Sequence, residues 1–252
     1  VTFCAVAALL THKMRQALRA RKYRLSKCWM DAFGARGKKM QNITRDLLEI
    51  GFYEGMSVEI HSSMKKINEI DNNPNEIIES FKNIITPNGT IVMSAFPLSK
   101  CLALTDQDLL LGIITKNKWL SEKHNERSDM GIISDIFSKS TDTLIGVGQH
   151  RMAAWGKNAE LYVNDLNNLI NNNGYALLIG VDIRKLTAMH YVENNIPENI
   201  WPRLFSPMPR EIQELYNQNE YFITTEELPK YHVGWLKIQK LAENRGLITR
   251  GK

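Results

Sequence analysis

Thr187, His190 and Glu193 follow one another at intervals of three in the stretch GVDIRKLTAMHYVE, residues 180–193. If a helix starts near Lys185, the three side chains fall along one face. A glutamate one turn away can orient or charge-stabilise an imidazole, and a threonine hydroxyl on the same face can donate to a substrate oxygen. Unperturbed histidine titrates near neutral pH, so the set suits general-base chemistry. Spacing alone also describes a solvated His/Glu pair on an ordinary surface helix. The residues leave both readings open.

A second candidate lies in SVEIHSSM, residues 57–64, where His61, Ser62 and Ser63 close an alternating apolar stretch. Hydroxyls and backbone N–H groups at such a place can cradle an anion. A serine that merely caps the next helix would look the same. His150 sits between two short apolar runs, where a satisfied core histidine is as compatible with the pattern as a functional one. His124, flanked by Glu122 and Glu126, reads as a solvated loop. No HxxxH or HExxH spacing supports a metal. The signatures GxGxxG, GxxxxGK[ST] and GxSxG are absent, which removes the usual grounds for a dinucleotide, P-loop or serine-hydrolase reading.

These residues need a scaffold, and from Met40 onward the pattern alternates helix and strand. Ile43, Leu47, Leu48 and Ile50 recur at helical spacing before Gly51, and residues 57–61 then alternate as a strand. Pro74 opens a helix with Ile77, Ile78, Phe81, Ile84 and Ile85 on one face, and TIVMSAF, residues 90–96, reads as a central strand. Residues 97–127 read as a long loop with one short helix near Asp108 to Lys116, a length often used for a substrate lid. MGIISDIFSKS is expected to be a helix, TLIGVG and RMAAWG short strands, and KNAELYVNDLNNLINNN a single amphipathic helix ended by Gly174. YALLIGV, residues 175–181, is the strongest buried-strand candidate, and two shorter helices follow a proline-punctuated loop. The expected fold is α/β: three layers, α/β/α, with a central mixed sheet covered by helices on both faces. Ligands in such sheets bind at the carboxyl ends of the strands, where both candidate stretches lie.

Composition narrows the class. The 252 residues are 43% apolar and 23% charged, as in a soluble globular protein long enough for a substantial core. Cys4, Cys28 and Cys101 form no CxxC pair, which argues for reduced thiols in a cytoplasmic protein rather than a disulfide framework or structural zinc. The formal charge of +5 is unevenly spread. Residues 1–39 hold ten Lys/Arg against one acid, whereas residues 40–252 hold 22 basic and 26 acidic side chains. The body is thus mildly acidic, which favours cationic partners and gives no reason to expect nucleic acid there. The apolar run Val1 to Leu10 is too short to span a bilayer and lacks the flanks of a secretory signal. Residues 1–39 are therefore read as a basic extension outside the fold, and residues 40–252 as the functional domain.

The stretches MQNITRDLLEIGFYEGMSVEIHSSM, TPNGTIVMSAF, RSDMGIISDIF, AAWGKNAE and LLIGVDIRKLTAMHYVE together, in this order and spacing, resemble the aminoglycoside 3-N-acetyltransferases of the antibiotic N-acetyltransferase fold. The resemblance runs from about Met40 to Lys252. It implies direct acetyl transfer from acetyl-CoA, as co-substrate and without a metal, to the 3-amino group of an aminocyclitol antibiotic, an activity of the antibiotic-resistance type. Carried over residue by residue, it casts His190 as the base that deprotonates the attacking amine, with Glu193 supporting it. Thr187 falls near the thioester, His61 matches a second active-site histidine, and Ser62, Ser63 and Met64 match the segment near the coenzyme A phosphates. The partner implied is a small cationic amine, with no membrane.

The chain departs from the family pattern in two places. Val147-Gly148 and Arg151 stand where the family usually has His-Pro and a serine, leaving His150 as the histidine of that region. Asp182, Ile183, Arg184 and Lys185 replace a glycine and small polar residues, and the basic pair adds positive charge where a polycation would approach. The final segment AENRGLITRGK resembles one that the family continues past, so a further C-terminal piece is expected. Two alternatives follow: an acetyltransferase acting on another amino sugar or small amine, or an inactive relative with a basic binding tail.

Overall fold

A computed structural model describes residues 38–64, 73–121, 126–190, 197–199, 207–225 and 235–250. The expected extension at residues 1–39 thus lies outside the described residues except for Lys38 and Lys39, which open the first helix. The helices are α1 (Lys38–Glu49), α2 (Pro74–Ile85), α3 (Asp106–Leu110), α4 (Ile132–Ser138), α5 (Ala159–Asn164), α6 (Asn167–Asn171), α7 (Arg210–Leu215) and α8 (Trp235–Asn244). The strands are β1 (Ser57–Ser62), β2 (Thr90–Ser94), β3 (Ile113–Lys118), β4 (Leu144–Ile145), β5 (Met152–Gly156), β6 (Tyr175–Ile179) and β7 (Tyr221–Thr225).

Five strands form a mixed sheet in the order β4-β5-β2-β1-β6. β1 runs parallel to both β2 and β6, while β5 is antiparallel to β2 and to β4. β2 is the middle strand and all five of its residues are buried, which is why its sequence is an unbroken apolar run. Alternation along the strands divides the core in two. Val58, Ile60, Ile91, Met93 and Ala153 face one way, onto Leu47 of α1, Ile77, Phe81 and Ile85 of α2, and Ile133 and Phe137 of α4. Val92, Met152 and Ala154 face the other way, onto Ala159, Tyr162 and Val163 of α5 and Leu169 of α6. The sheet is therefore covered on both faces, as the alternating pattern predicts.

α2 is well signalled locally. Asn73 caps it by accepting from the Asn75 N–H, Pro74 occupies the first turn, and six residues of the inward stripe are buried. Gly156 is a position only glycine fits. Its φ is +105°, and a Cβ there would lie 2.1 Å from the Gly89 carbonyl oxygen.

Four sequence expectations are corrected. The segment read as a lid-like loop holds α3 and β3, and β3 pairs antiparallel with β7 in a second small sheet. Its polar residues Lys116 and Asn117 are buried because they find partners, so apolar alternation is missing. The single helix expected after Lys157 is broken: Asp165 leaves helical geometry and its carboxylate accepts from the Asn167 N–H, separating α5 from α6. β6 is an edge strand and only partly buried, despite its apolar sequence. The helix expected from Lys185 is a 3-10 turn, Ile183–Lys185, followed by extended Leu186, and helical backbone resumes only at Met189.

Candidate active site

β1, β2 and β6 lie next to or one strand from each other and run the same way, so their carboxyl ends open on one edge of the sheet. His61 is at that end of β1, Ser94 is the last residue of β2, and the turn 186–190 follows β6 after the 3-10 segment. The turn folds back over the face of the sheet that carries Glu59 and His61.

Glu59 and His61 are two apart on β1, so they share a face. Glu59 Oε1 lies 2.6 Å from His61 Nε2, with the side chains 1% and 11% exposed. Thr187 N–H points at the same imidazole nitrogen at 3.2 Å. Ala188 N–H donates to both carboxylate oxygens of Glu59, at 3.2 and 3.3 Å. The Thr187 and Ser94 hydroxyls are 2.6 Å apart, and Ser134 of α4 hydrogen-bonds the Ser94 carbonyl oxygen. One buried carboxylate, one imidazole, two hydroxyls and two backbone N–H groups thus converge where the strands end.

His190 closes the turn. Its N–H donates to the Thr187 carbonyl at 2.9 Å, as Met189 N–H does to Leu186 at 3.1 Å, and its side chain is exposed. Thr187 and His190 are therefore joined by a tight turn and do not ride one helical face. Glu193 lies outside the described residues. His150 is held edge-on against Phe96 and Trp119, with ring centroids 5.2 and 5.6 Å apart. Partial burial pushes the His150 imidazole below the ordinary histidine range, and the nearby charge of His190 pushes it the same way. The family serine position is filled by Arg151, whose Nε donates to the Ala95 carbonyl at 3.1 Å and ties β5 to the exit of β2.

The serine segment falls differently from the histidine. Ser62 follows His61 on the strand and so faces the opposite side of the sheet. Met64 packs on the core of that opposite face. Ser63 N–H donates to the Ile179 carbonyl at 2.9 Å, so that group is already engaged. The structure therefore gathers His61 and Thr187, joins His190 to Thr187 through the backbone of the turn with its side chain exposed, and places Ser62 and Met64 on the opposite side of the sheet. Arg184 is gripped by Asp182 through both Nε and Nη2, so one of the two added cations is paired within the turn itself.

Sequence reasoning missed Glu59 and Ser94. The available signal was a carboxylate two residues before a histidine within a strand bordered by apolar runs, and a serine ending the most apolar strand. The position of the turn is secured from behind: Gln239 of α8 accepts from the Ile183 N–H at 3.3 Å. Among the described residues, no cluster of three or more His, Cys, Asp or Glu side chains is arranged to hold a metal, and no helix is long and apolar enough to cross a membrane.

The family profile described as Aminoglycoside 3-N-acetyltransferase matches residues 60–251, from the end of β1 through the last described segment. A curated relative, the SPbeta prophage-derived aminoglycoside N(3')-acetyltransferase-like protein YokD of Bacillus subtilis (strain 168), is 26% identical over 181 residues. That match covers 62% of this chain and 65% of the relative, so the chain spans somewhat less than two thirds of the relative's length. The fold is shared with the apoenzyme of the aminoglycoside acetyltransferase AAC(3)-IVa, at 17% identity and a TM-score of 0.56, covering 84% of this chain and 79% of that one. It is shared equally with AAC(3)-IIb, at 16% identity and a TM-score of 0.55, covering 82% and 85%. With the profile extending over most of the sequence, from within β1 through the site-bearing turn to the last described segment, the chain belongs to the aminoglycoside 3-N-acetyltransferase family.

Proposed function

We propose that the protein is an acetyl-CoA-dependent N-acetyltransferase that acetylates the 3-amino group of an aminoglycoside, or a closely related amine, in the cytoplasm. The observation that carries this reading is the turn 186–190, which brings Thr187 onto His61 and Ser94 at the carboxyl ends of parallel strands and ends on His190 with its side chain exposed. The polar set suits an acyl donor because its hydroxyls and N–H groups are hydrogen-bond donors for a carbonyl oxygen that gains negative charge.

Acetyl-CoA would supply the acetyl group as a thioester. His190, exposed at the mouth, takes a proton from the ammonium or the attacking amine. The amine nitrogen bonds to the acetyl carbon as its proton passes to His190, the carbon–sulfur bond breaks, and the thiolate leaves, taking up the proton from the His190 imidazolium. Thr187 and His61 act at the carbonyl side, and Glu193 is assigned to support His190 by family resemblance. Ser62, Ser63 and Met64 are assigned to the coenzyme side on the same ground. The mildly acidic body supports a cationic acceptor, and the Asp182–Arg184 pair keeps part of the local positive charge from facing it.

The test is release of free thiol from acetyl-CoA with a panel of aminoglycosides and simple amino sugars, comparing wild type with His190→Ala. Turnover with an aminoglycoside, lost in His190→Ala, is expected. Consumption of no acetyl-CoA with any amine refutes the enzyme reading. Full turnover by His190→Ala refutes the base assignment.

A further inference from the structure

His61 Nε2 receives two contacts that it cannot satisfy at once. An imidazole nitrogen either carries a proton, and donates, or carries a lone pair, and accepts. Thr187 N–H at 3.2 Å asks it to accept. Glu59 Oε1 at 2.6 Å is an acceptor when ionised and asks it to donate.

Three observations decide between them. The Glu59 contact is far the shorter, at 2.6 Å against 3.2 Å for the Thr187 N–H. Ala188 N–H donates to both oxygens of Glu59, which treats both as acceptors and suits the anion. Glu59 is fully buried, and a buried polar group is retained only when hydrogen-bonded; the His61 imidazole is its side-chain partner. Together these favour the tautomer with the proton on Nε2, directed at Glu59. Thr187 N–H then faces a protonated nitrogen and lacks an acceptor there, at the place where the strand ends meet the turn.

We propose that Glu59 is a positioning residue for acetyl transfer: it fixes the His61 proton on Nε2 and anchors the Ala188 N–H, which leaves the Thr187 N–H as a donor for the carbonyl oxygen of the acyl donor. This role rests on the transferase reading and adds a group that the family resemblance does not assign. Without the Glu59 carboxylate, Nε2 becomes the acceptor of Thr187 N–H, and the donor is quenched by the protein's own imidazole.

The experiment is nitrogen-15 NMR of histidine-labelled protein, with His61 assigned by loss of its signals in His61→Gln, together with thiol-release kinetics. In wild type, Nε2 of His61 should be protonated. In Glu59→Gln it should lose that proton to the Nδ1 tautomer. Turnover should fall about 100-fold, the cost of one lost oxyanion donor, with KM for acetyl-CoA changed less than twofold. An unprotonated Nε2 in wild type overturns the proposal, and that measurement needs no variant. It is equally overturned if Glu59→Gln keeps the wild-type tautomer or the wild-type turnover. The failures are separable: absence of any acetyl transfer by wild type sinks the enzyme reading, whereas the tautomer of His61 is read in the resting protein.

Discussion

Asp108 is predicted to be the most costly single charge to remove from the second, smaller sheet. Its carboxylate, 1% exposed, is gripped by Lys116 of β3, by the Tyr216 hydroxyl and by the Thr105 N–H at 2.8 Å. Lys116 is itself buried and also donates to Tyr216 at 3.2 Å. Burial alone would raise the Asp108 carboxyl, but these hydrogen bonds outweigh it and hold the group well below the usual carboxylate range. Asp108→Asn keeps the shape and removes the charge, leaving the Lys116 ammonium buried beside a phenol. Breaking one partner of a buried pair costs about 3–5 kcal/mol. At roughly 2–4 °C per kcal/mol for a chain near this size, the melting temperature should fall by about 10 °C. Circular-dichroism melts at neutral pH measure this directly. Lys116→Met added to Asp108→Asn should restore most of the loss, because the stranded cation is gone. The sign with pH follows from the depressed carboxyl: its contribution is full above the unfolded value of about 3.9 and is lost as pH falls below it. An Asp108→Asn protein melting within about 2 °C of wild type, or a double variant no better than the single one, would refute the reasoning.

Other outcomes follow from the same packing. Phe81→Ala, at a fully buried position between α2 and the sheet, should cost about 3–5 kcal/mol in denaturant unfolding. Gly156→Ala combines a left-handed backbone with a 2.1 Å approach to the Gly89 carbonyl and should cost at least ~2 kcal/mol, read as a lower denaturation midpoint. Thr187→Val removes the hydroxyl partner of Ser94 and should lower acetyl transfer roughly tenfold, while Thr187→Ser should retain most of it. Gln239→Ala removes the acceptor of Ile183 N–H and should speed hydrogen exchange at that amide, with little change in exchange within β2.

The framework was legible where local signals agree with burial. Asn73 and Pro74 mark the start of α2, its apolar stripe marks the inward face, and TIVMS is apolar throughout because both of its faces are covered. β3 and β7 were not legible because their stability comes from partners more than a hundred residues apart, and Lys116 is buried by ion pairing that periodicity cannot register. YALLI shows the converse: apolar residues alone do not tell an edge strand from a central one. At the site, His61, Thr187 and His190 could be picked out as chemical types, but the helical spacing that linked Thr187 to His190 is replaced by a turn. Glu59 stayed hidden for a simple reason. A charged residue in an alternating strand ordinarily marks the solvent side, and only the folded turn over β1 turns that position into an interior one.

The pairing of β1 with β6 also bears on how the proposed site is assembled. His61 aligns with Leu178 across that ladder and meets Thr187 through a contact 126 residues distant in sequence. The α1–α2–β1–β2 portion, by contrast, is built from neighbours in the chain and can collapse early. Closing the long loop to β6 pays its entropy before any reward, which makes such parallel, non-local pairing slow. The polar cluster is therefore expected to assemble in the last stage of folding. Recovery of acetyl transfer after dilution from denaturant should lag behind recovery of helical signal, so the site serves as a built-in clock for completion of the sheet.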